Sequence, residues 1–221
     1  MFLGHFGVSM ALKGTEKNAS LGVLFLGVQF VDFVSPILGL MGIEKVNIVP
    51  NFTASTHLEM VYYPYSHSLV AAFFWALGAY LVFRYLLPSN TGNPHRVALV
   101  VAIAVASHWF VDLLVHTPDL PLFTDSSTKV GFGLWNYQHA SYLAEVLFLA
   151  LGLLIYLKST QGSTRVGKYG MIIFVGILVI MSIYFIYGPP PVHSIEVMGI
   201  SLMITYLIIS MVAFRLDKKR N

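Results

Sequence analysis

The chain has 221 residues, 57% of them hydrophobic and only 10% charged, with a mean hydropathy of +0.74, a balance that excludes an ordinary water-soluble domain. The net charge of +3 would suit nucleic acid in a soluble protein, but the basic residues lie in short connections between apolar runs, so it reads as a topology signal and nucleic acid is excluded. Cysteine is absent, which removes disulfides, thiolate nucleophiles and thiolate metal sites, so a bound metal would need His, Asp or Glu.

The first segment, MFLGHFGVSMALKG, is apolar over about a dozen residues, fewer than the roughly 20 a crossing needs. It lacks the positive leading region and small-residue cleavage site of a secretory signal, so it is expected to be retained. It is too apolar for a free tail and predicts a short re-entrant or interfacial helix beside the first span. Runs long enough to cross follow at about 20–42, 66–87, 96–117, 137–158, 168–188 and 193–215, separated by polar or Pro/Gly-bearing connections. The expected fold is an all-α integral membrane protein, a single domain over 1–221 forming a six-helix transmembrane bundle.

Placing Lys13, Lys17, Arg84, Arg96, Lys158, Arg165, Lys168, Arg215, Lys218, Lys219 and Arg220 on one side leaves only Lys45 and Lys129 on the other. Under the positive-inside rule this split puts both termini in the cytoplasm. Tyr62, Tyr63, Tyr65 and Trp135 then belong to the outer aromatic belt.

Ionisable groups inside apolar runs carry the functional signal, because each costs several kcal/mol against lipid unless it meets a partner or a water-filled cavity. Asp32 lies about 12 residues, roughly 18 Å, into the first span. His108 is comparably deep in the third, and Asp112 and His116 follow at i+4 and i+8 on the same face. His67 opens the second span within PYSHSL, and His5 sits midway along the N-terminal segment. Two carboxylates in the middle of a bundle whose spans offer no buried Lys or Arg call for a cation. The economical solution is one divalent metal ion held by Asp32, His67, His108 and Asp112, with His5 or His116 completing or supporting the shell. Imidazole and carboxylate without thiolate suit Zn²⁺, Mn²⁺ or Fe²⁺.

Other polar residues carry less. Glu59 and His57, just before the second span, would line the outer mouth of a cavity or stand as solvated loop groups. His139 with Glu145 and His193 with Glu196 fall near the outer ends of the fourth and sixth spans. The last two spans, rich in Ile, Met, Val and Phe, read as scaffold. No phosphate loop, dinucleotide fingerprint or nucleophile elbow is present.

Several of these stretches resemble a family of bacterial inner-membrane proteins described as membrane-bound metal-dependent hydrolases. They are GHFGVSMALK with His5, LFLGVQFVDFVSPIL with Asp32, YYPYSHSL with His67, and SHWFVDLLVHTPDLPL with His108, Asp112 and His116, with GLWNY and the Pro turn at 188–191 also fitting. Tyr62-Tyr63-Pro64-Tyr65 stands where the family carries an arginine-bearing motif, which places the chain in a divergent branch. The resemblance implies a multi-pass protein of the bacterial inner membrane that carries a divalent metal on His and Asp. A hydrolase with a buried site would take a lipid or lipid-linked ester arriving laterally, with His116 or Glu59 moving protons. The alternative is a non-enzymatic carrier of cations or protons, or an accessory subunit of a membrane protein assembly, against which stands the near absence of buried charge in the last two spans.

Overall fold

Local chemistry sets the helix starts. The side chains of Ser20, Ser68, Thr164 and Ser194 accept from the amides of Val23, Ala71, Gly167 and Val197, and Asn93 accepts from His95 N ahead of Pro94. A computed structural model describes residues 1–90, 92–191 and 194–220. Its elements are α1 (Leu3–Thr15), α2 (Leu21–Val28), α3 (Phe30–Leu40), β1 (Lys45–Ile48), β2 (Leu58–Tyr62), α4 (Pro64–His67), α5 (Leu69–Leu81), α6 (Pro94–Val115), β3 (Leu120–Pro121), β4 (Lys129–Val130), α7 (Gln138–Ser159), α8 (Arg165–Tyr187) and α9 (Ile195–Asp217). One π-helical turn, Val82–Leu86, extends α5.

The protein is mostly helical. Among the described residues five helices are long and apolar enough to cross a membrane, and six if the pair α2 and α3 counts as one span. That pair bends by 49° at Gln29. The 20–42 run is therefore a broken helix rather than the continuous one its hydropathy predicts. Its counterparts begin and end within a few residues of expectation. Phe74, Leu147, Ile180 and Tyr184 are exposed on α5, α7 and α8, the inside-out pattern of a bundle whose solvent is lipid.

α1 occupies the interior. From Leu3 to Met10 only Val8 escapes full burial, and the helix packs on α7, α2 and α6. Its Phe6 ring stacks on Phe25 of α2 at 4.7 Å. α1 and α7 run parallel: Gly7 lies against Phe148 and Gly152, and Gly14 against Ile155 and Ser159. A side chain at Gly7 or Gly152 would strike the other helix's backbone, so glycine is what lets the two approach.

At the basic end Lys13 Nζ lies 2.9 Å from Asp217 Oδ2, Tyr156 OH donates to Asp217 Oδ1 at 3.0 Å, Arg96 reaches Glu16, and Arg220 bonds Thr160 and Gly167. At the other end two short antiparallel hairpins, β1–β2 and β3–β4, lie over the helix ends. Met1 is buried at that second end, beside Asp112, whereas Arg220 sits at the first. The expectation that both termini meet at the basic end is corrected for Met1, because the apolar first segment folds inward and carries its start along α7 toward Glu145.

Candidate metal centre

Asp112, in the last turn of α6, is the hub. Its Oδ1 takes the Met1 ammonium at 2.6 Å and His5 Nε2 at 3.1 Å, and its Oδ2 faces His108 Nε2 at 2.9 Å and His116 Nε2 at 3.5 Å. The i, i+4 and i+8 spacing on one helix face produces this directly for His108, Asp112 and His116. Asp32 enters from the first turn of α3, with Oδ1 3.3 Å from His67 Nε2 and 3.5 Å from His108 Nε2, and its Oδ2 accepts from Tyr206 OH on α9 at 3.2 Å. The His5 ring stacks on His108 with centroids 3.9 Å apart. His5, His108, Asp112 and His116 are all at most 2% exposed, while the Asp32 side chain keeps 25% of its surface open, so any access runs past Asp32.

Two overlapping groups could hold a metal ion: His5, His108 and Asp112, and Asp32, His67 and His108, the ligand atoms of each lying within 4.8 Å of one another. Ligand atoms on a tetrahedral Zn²⁺ with bonds near 2.0–2.1 Å stand about 3.4 Å apart. The 3.3 and 3.5 Å separations from Asp32 Oδ1 to His67 and His108 match that spacing.

The donor chemistry fits as well. His108 Nδ1 lies 2.5 Å from the Val28 carbonyl, which only accepts, so Nδ1 carries the proton. In the neutral ring Nε2 is then a bare lone pair, and it points among carboxylate oxygens. It makes no aligned hydrogen bond despite its 2.9 Å separation from Asp112. His5 Nδ1 is likewise buried without a partner. His116 repeats the pattern, with Nδ1 at 2.9 Å from Asp119 Oδ1 and Nε2 toward Asp112. At His108 Nε2 a lone pair faces carboxylate oxygens with no proton between them, an arrangement that a divalent cation satisfies. Burial and nearby Asp119 push the Tyr63 hydroxyl above the usual tyrosine range, leaving it a neutral group beside His67 and His116.

Sequence reasoning named Asp32, His67, His108, Asp112, His5 and His116, and the structure brings these six together. It does not bring Glu59, whose Oε2 accepts from Asn47 on the β1–β2 hairpin at 2.9 Å. The reason is register: Glu59 faces Asn47 across the ladder, which keeps its carboxylate on the hairpin. His57 Nδ1 accepts from the Asn51 amide, and His139 pairs with Tyr187 at the surface rather than with Glu145. Glu145 instead accepts from the amides of Phe2 and Leu3 and so closes the start of α1. His193 lies outside the described residues.

Sequence reasoning missed four contributors. The Met1 ammonium supplies a positive charge that counting Lys and Arg overlooked. Val28 O is freed by the break at Gln29, and Asp119 backs His116. Glu44, 4% exposed, accepts from the Tyr65 and Ser66 amides and from Ser66 Oγ, which in turn lies 2.7 Å from His67 Nδ1. Only Asp119 had a sequence signal, three residues beyond His116.

Compared with family models, curated proteins and solved structures, the chain gave no match in any of the three.

Proposed function

We propose that this protein is a multi-pass enzyme of the bacterial inner membrane, a metal-dependent hydrolase of lipid or lipid-linked esters in the divergent branch described above. The observation that carries the reading is the convergence of imidazole Nε2 atoms on the buried Asp112 and the partly open Asp32, with His108 Nε2 bare between the two carboxylates. Six crossings, counting the broken α2–α3 pair as one, and a cytoplasmic basic end carrying the C-terminus accord with the charge split. The site then lies in the outer half.

Asp32, His67, His108, Asp112 and His5, which form two overlapping groups that share His108, would hold the ion, zinc suiting the donors best and manganese or iron being compatible. When bound, a divalent ion there supplies Lewis acidity that polarises an ester oxygen and acidifies water. The half-open Asp32 carboxylate marks the side from which substrate approaches. His116, oriented by Asp119, is the group placed to move a proton. Membrane lipids surround the opening, and an ester with a lipid tail reaches it without leaving the bilayer. A carrier needs polar groups along a path on both sides of the midplane, whereas these gather at one end, so the carrier or assembly-subunit reading has less support.

Detergent-purified protein should carry about one equivalent of transition metal or more and turn over a lipid-linked ester or phosphoester. Asp32→Ala and His108→Ala should lose both properties. Full metal content in both variants would remove the basis of the proposal.

A further inference from the structure

His67 has two ring nitrogens with different neighbours. Nε2 faces Asp32 Oδ1 at 3.3 Å, and Nδ1 faces Ser66 Oγ at 2.7 Å. Ser66, 0% exposed, has one hydroxyl proton, and the groups around it decide where that proton goes. Glu44 Oε2 is 2.7 Å from Ser66 Oγ, and apart from His67 the other acceptor near the hydroxyl among the described residues, the Tyr63 carbonyl, is 3.5 Å away. Glu44 Oε1 already accepts from the amides of Tyr65 at 2.9 Å and Ser66 at 2.8 Å, so every contact of this carboxylate is with a donor.

Both neighbours of the hydroxyl other than His67 accept only, so Ser66 spends its proton on Glu44 and must accept from His67. Nδ1 therefore carries the ring proton, and Nε2 of the neutral ring is a lone pair. The backbone prepares Glu44 for this: the amides of Ile43 and Glu44 bond Leu38 O where α3 ends, turning the chain back beneath α4.

We infer that Glu44 and Ser66 are positioning residues, a hydrogen-bonded pair that fixes His67 as its Nδ1–H tautomer and aims a bare Nε2 at Asp32. The consequence for metal binding rests on the proposed metal site, whereas the tautomer does not. The pair does for His67 what the Val28 carbonyl does for His108 and Asp119 does for His116, so three imidazoles present Nε2 to the same two carboxylates. Outer partners of this kind typically change metal affinity by about 10–100-fold when removed.

Glu44→Gln separates orientation from packing. The amide has the same shape, and its oxygen still accepts from the Tyr65 and Ser66 amides. Its NH₂ then donates to Ser66 Oγ, which frees the hydroxyl proton for His67 Nδ1 and turns the chain of hydrogen bonds around. His67 becomes the Nε2–H tautomer, donating to Asp32 instead of offering a lone pair.

The test uses full-length metal-free protein in detergent at pH 8, labelled with ¹⁵N-histidine, with His67 assigned by the signal lost in His67→Gln. Two-bond ¹H–¹⁵N correlations should show Nδ1–H for His67 in the parent chain and Nε2–H in Glu44→Gln. Ser66→Ala, which deletes a single oxygen, should give a mixture of tautomers and serves if Glu44→Gln does not fold. Zinc affinity by chelator competition should fall about 10–100-fold in each variant. An Nε2–H or doubly protonated His67 in the parent overturns the inference, as does an unchanged tautomer in both variants or a changed tautomer with unchanged zinc affinity. A parent that binds no zinc sinks the metal reading alone, and the tautomer still decides the role of Glu44 and Ser66.

Discussion

Gly7→Ala tests whether the position of α1 controls the metal centre. A Cβ on Gly7 would stand 2.5 Å from the Phe148 carbonyl carbon and 2.9 Å from Leu149 N, both backbone atoms of α7 that no rotamer change can move. Ordinary contact begins near 3.4 Å, so the two helices must part by close to 1 Å. Overpacking of this kind typically costs about 1–3 kcal/mol. α1 carries His5 at one end of the clash and the Phe2 and Leu3 amides bound to Glu145 at the same end, so the shift falls on the site. Purified Gly7→Ala should show a clearly lowered thermal midpoint in detergent and a weakened zinc affinity. Gly176→Ala on α8, where a Cβ meets nothing within 4 Å, should leave both unchanged or raise the midpoint slightly. Equal midpoints and equal zinc affinities for the two variants would refute the claim that the parallel α1–α7 contact holds His5 in place.

The remaining expectations divide the molecule into its two ends. His108→Ala, the one substitution that removes a member of both ligand groups, should reduce bound metal to background by elemental analysis, while His139→Ala at the surface keeps it. Glu59→Gln should retain full metal content and turnover, because its carboxylate pairs with Asn47 on the hairpin. Lys13→Met strands Asp217 at the basic end, each side chain being only 10% exposed, and should cost about 3 kcal/mol in a detergent unfolding titration with zinc affinity preserved. Stripping metal with a strong chelator should lower the thermal midpoint, and stoichiometric zinc should restore it.

What the sequence revealed follows from energetic cost. A carboxylate or imidazole in an apolar run stands out against its neighbours, which is why Asp32, His67, His108 and Asp112 were visible, and helical spacing linked His108 to Asp112 and His116. Glu44 was invisible for the opposite reason: it lies in GIEK, a polar connection where a glutamate raises no question until the fold buries it. Glu59, in the same loop region, looked the better candidate because it stands nearer to His67 in sequence, yet strand pairing turns it to Asn47. Hydropathy located the 20–42 run but is blind to hydrogen bonding, so it could not register that the helix breaks at Gln29. Counting Lys and Arg missed the Met1 ammonium, since nothing in the pattern tells that the first residue folds inward to Asp112.

Two irregularities of the bundle, the α2–α3 break and the inward start of α1, meet at the site, and this links folding to metal binding. Unsatisfied backbone groups at membrane depth each cost several kcal/mol, so non-helical backbone survives there only where the protein itself supplies partners. The break between α2 and α3 frees the Val28 carbonyl, and His108 satisfies it. The start of α1 leaves the Phe2 and Leu3 amides, and Glu145 satisfies them. Each repair brings a candidate ligand with it: the first fixes the tautomer of His108 and sets Asp32 in the opening turn of α3, and the second sets His5 in the opening turn of α1. A continuous first helix or a surface-bound α1 would forfeit part of the ligand set. Two half-helices buried against their neighbours are therefore the means by which this fold delivers ligands from separate segments to one point.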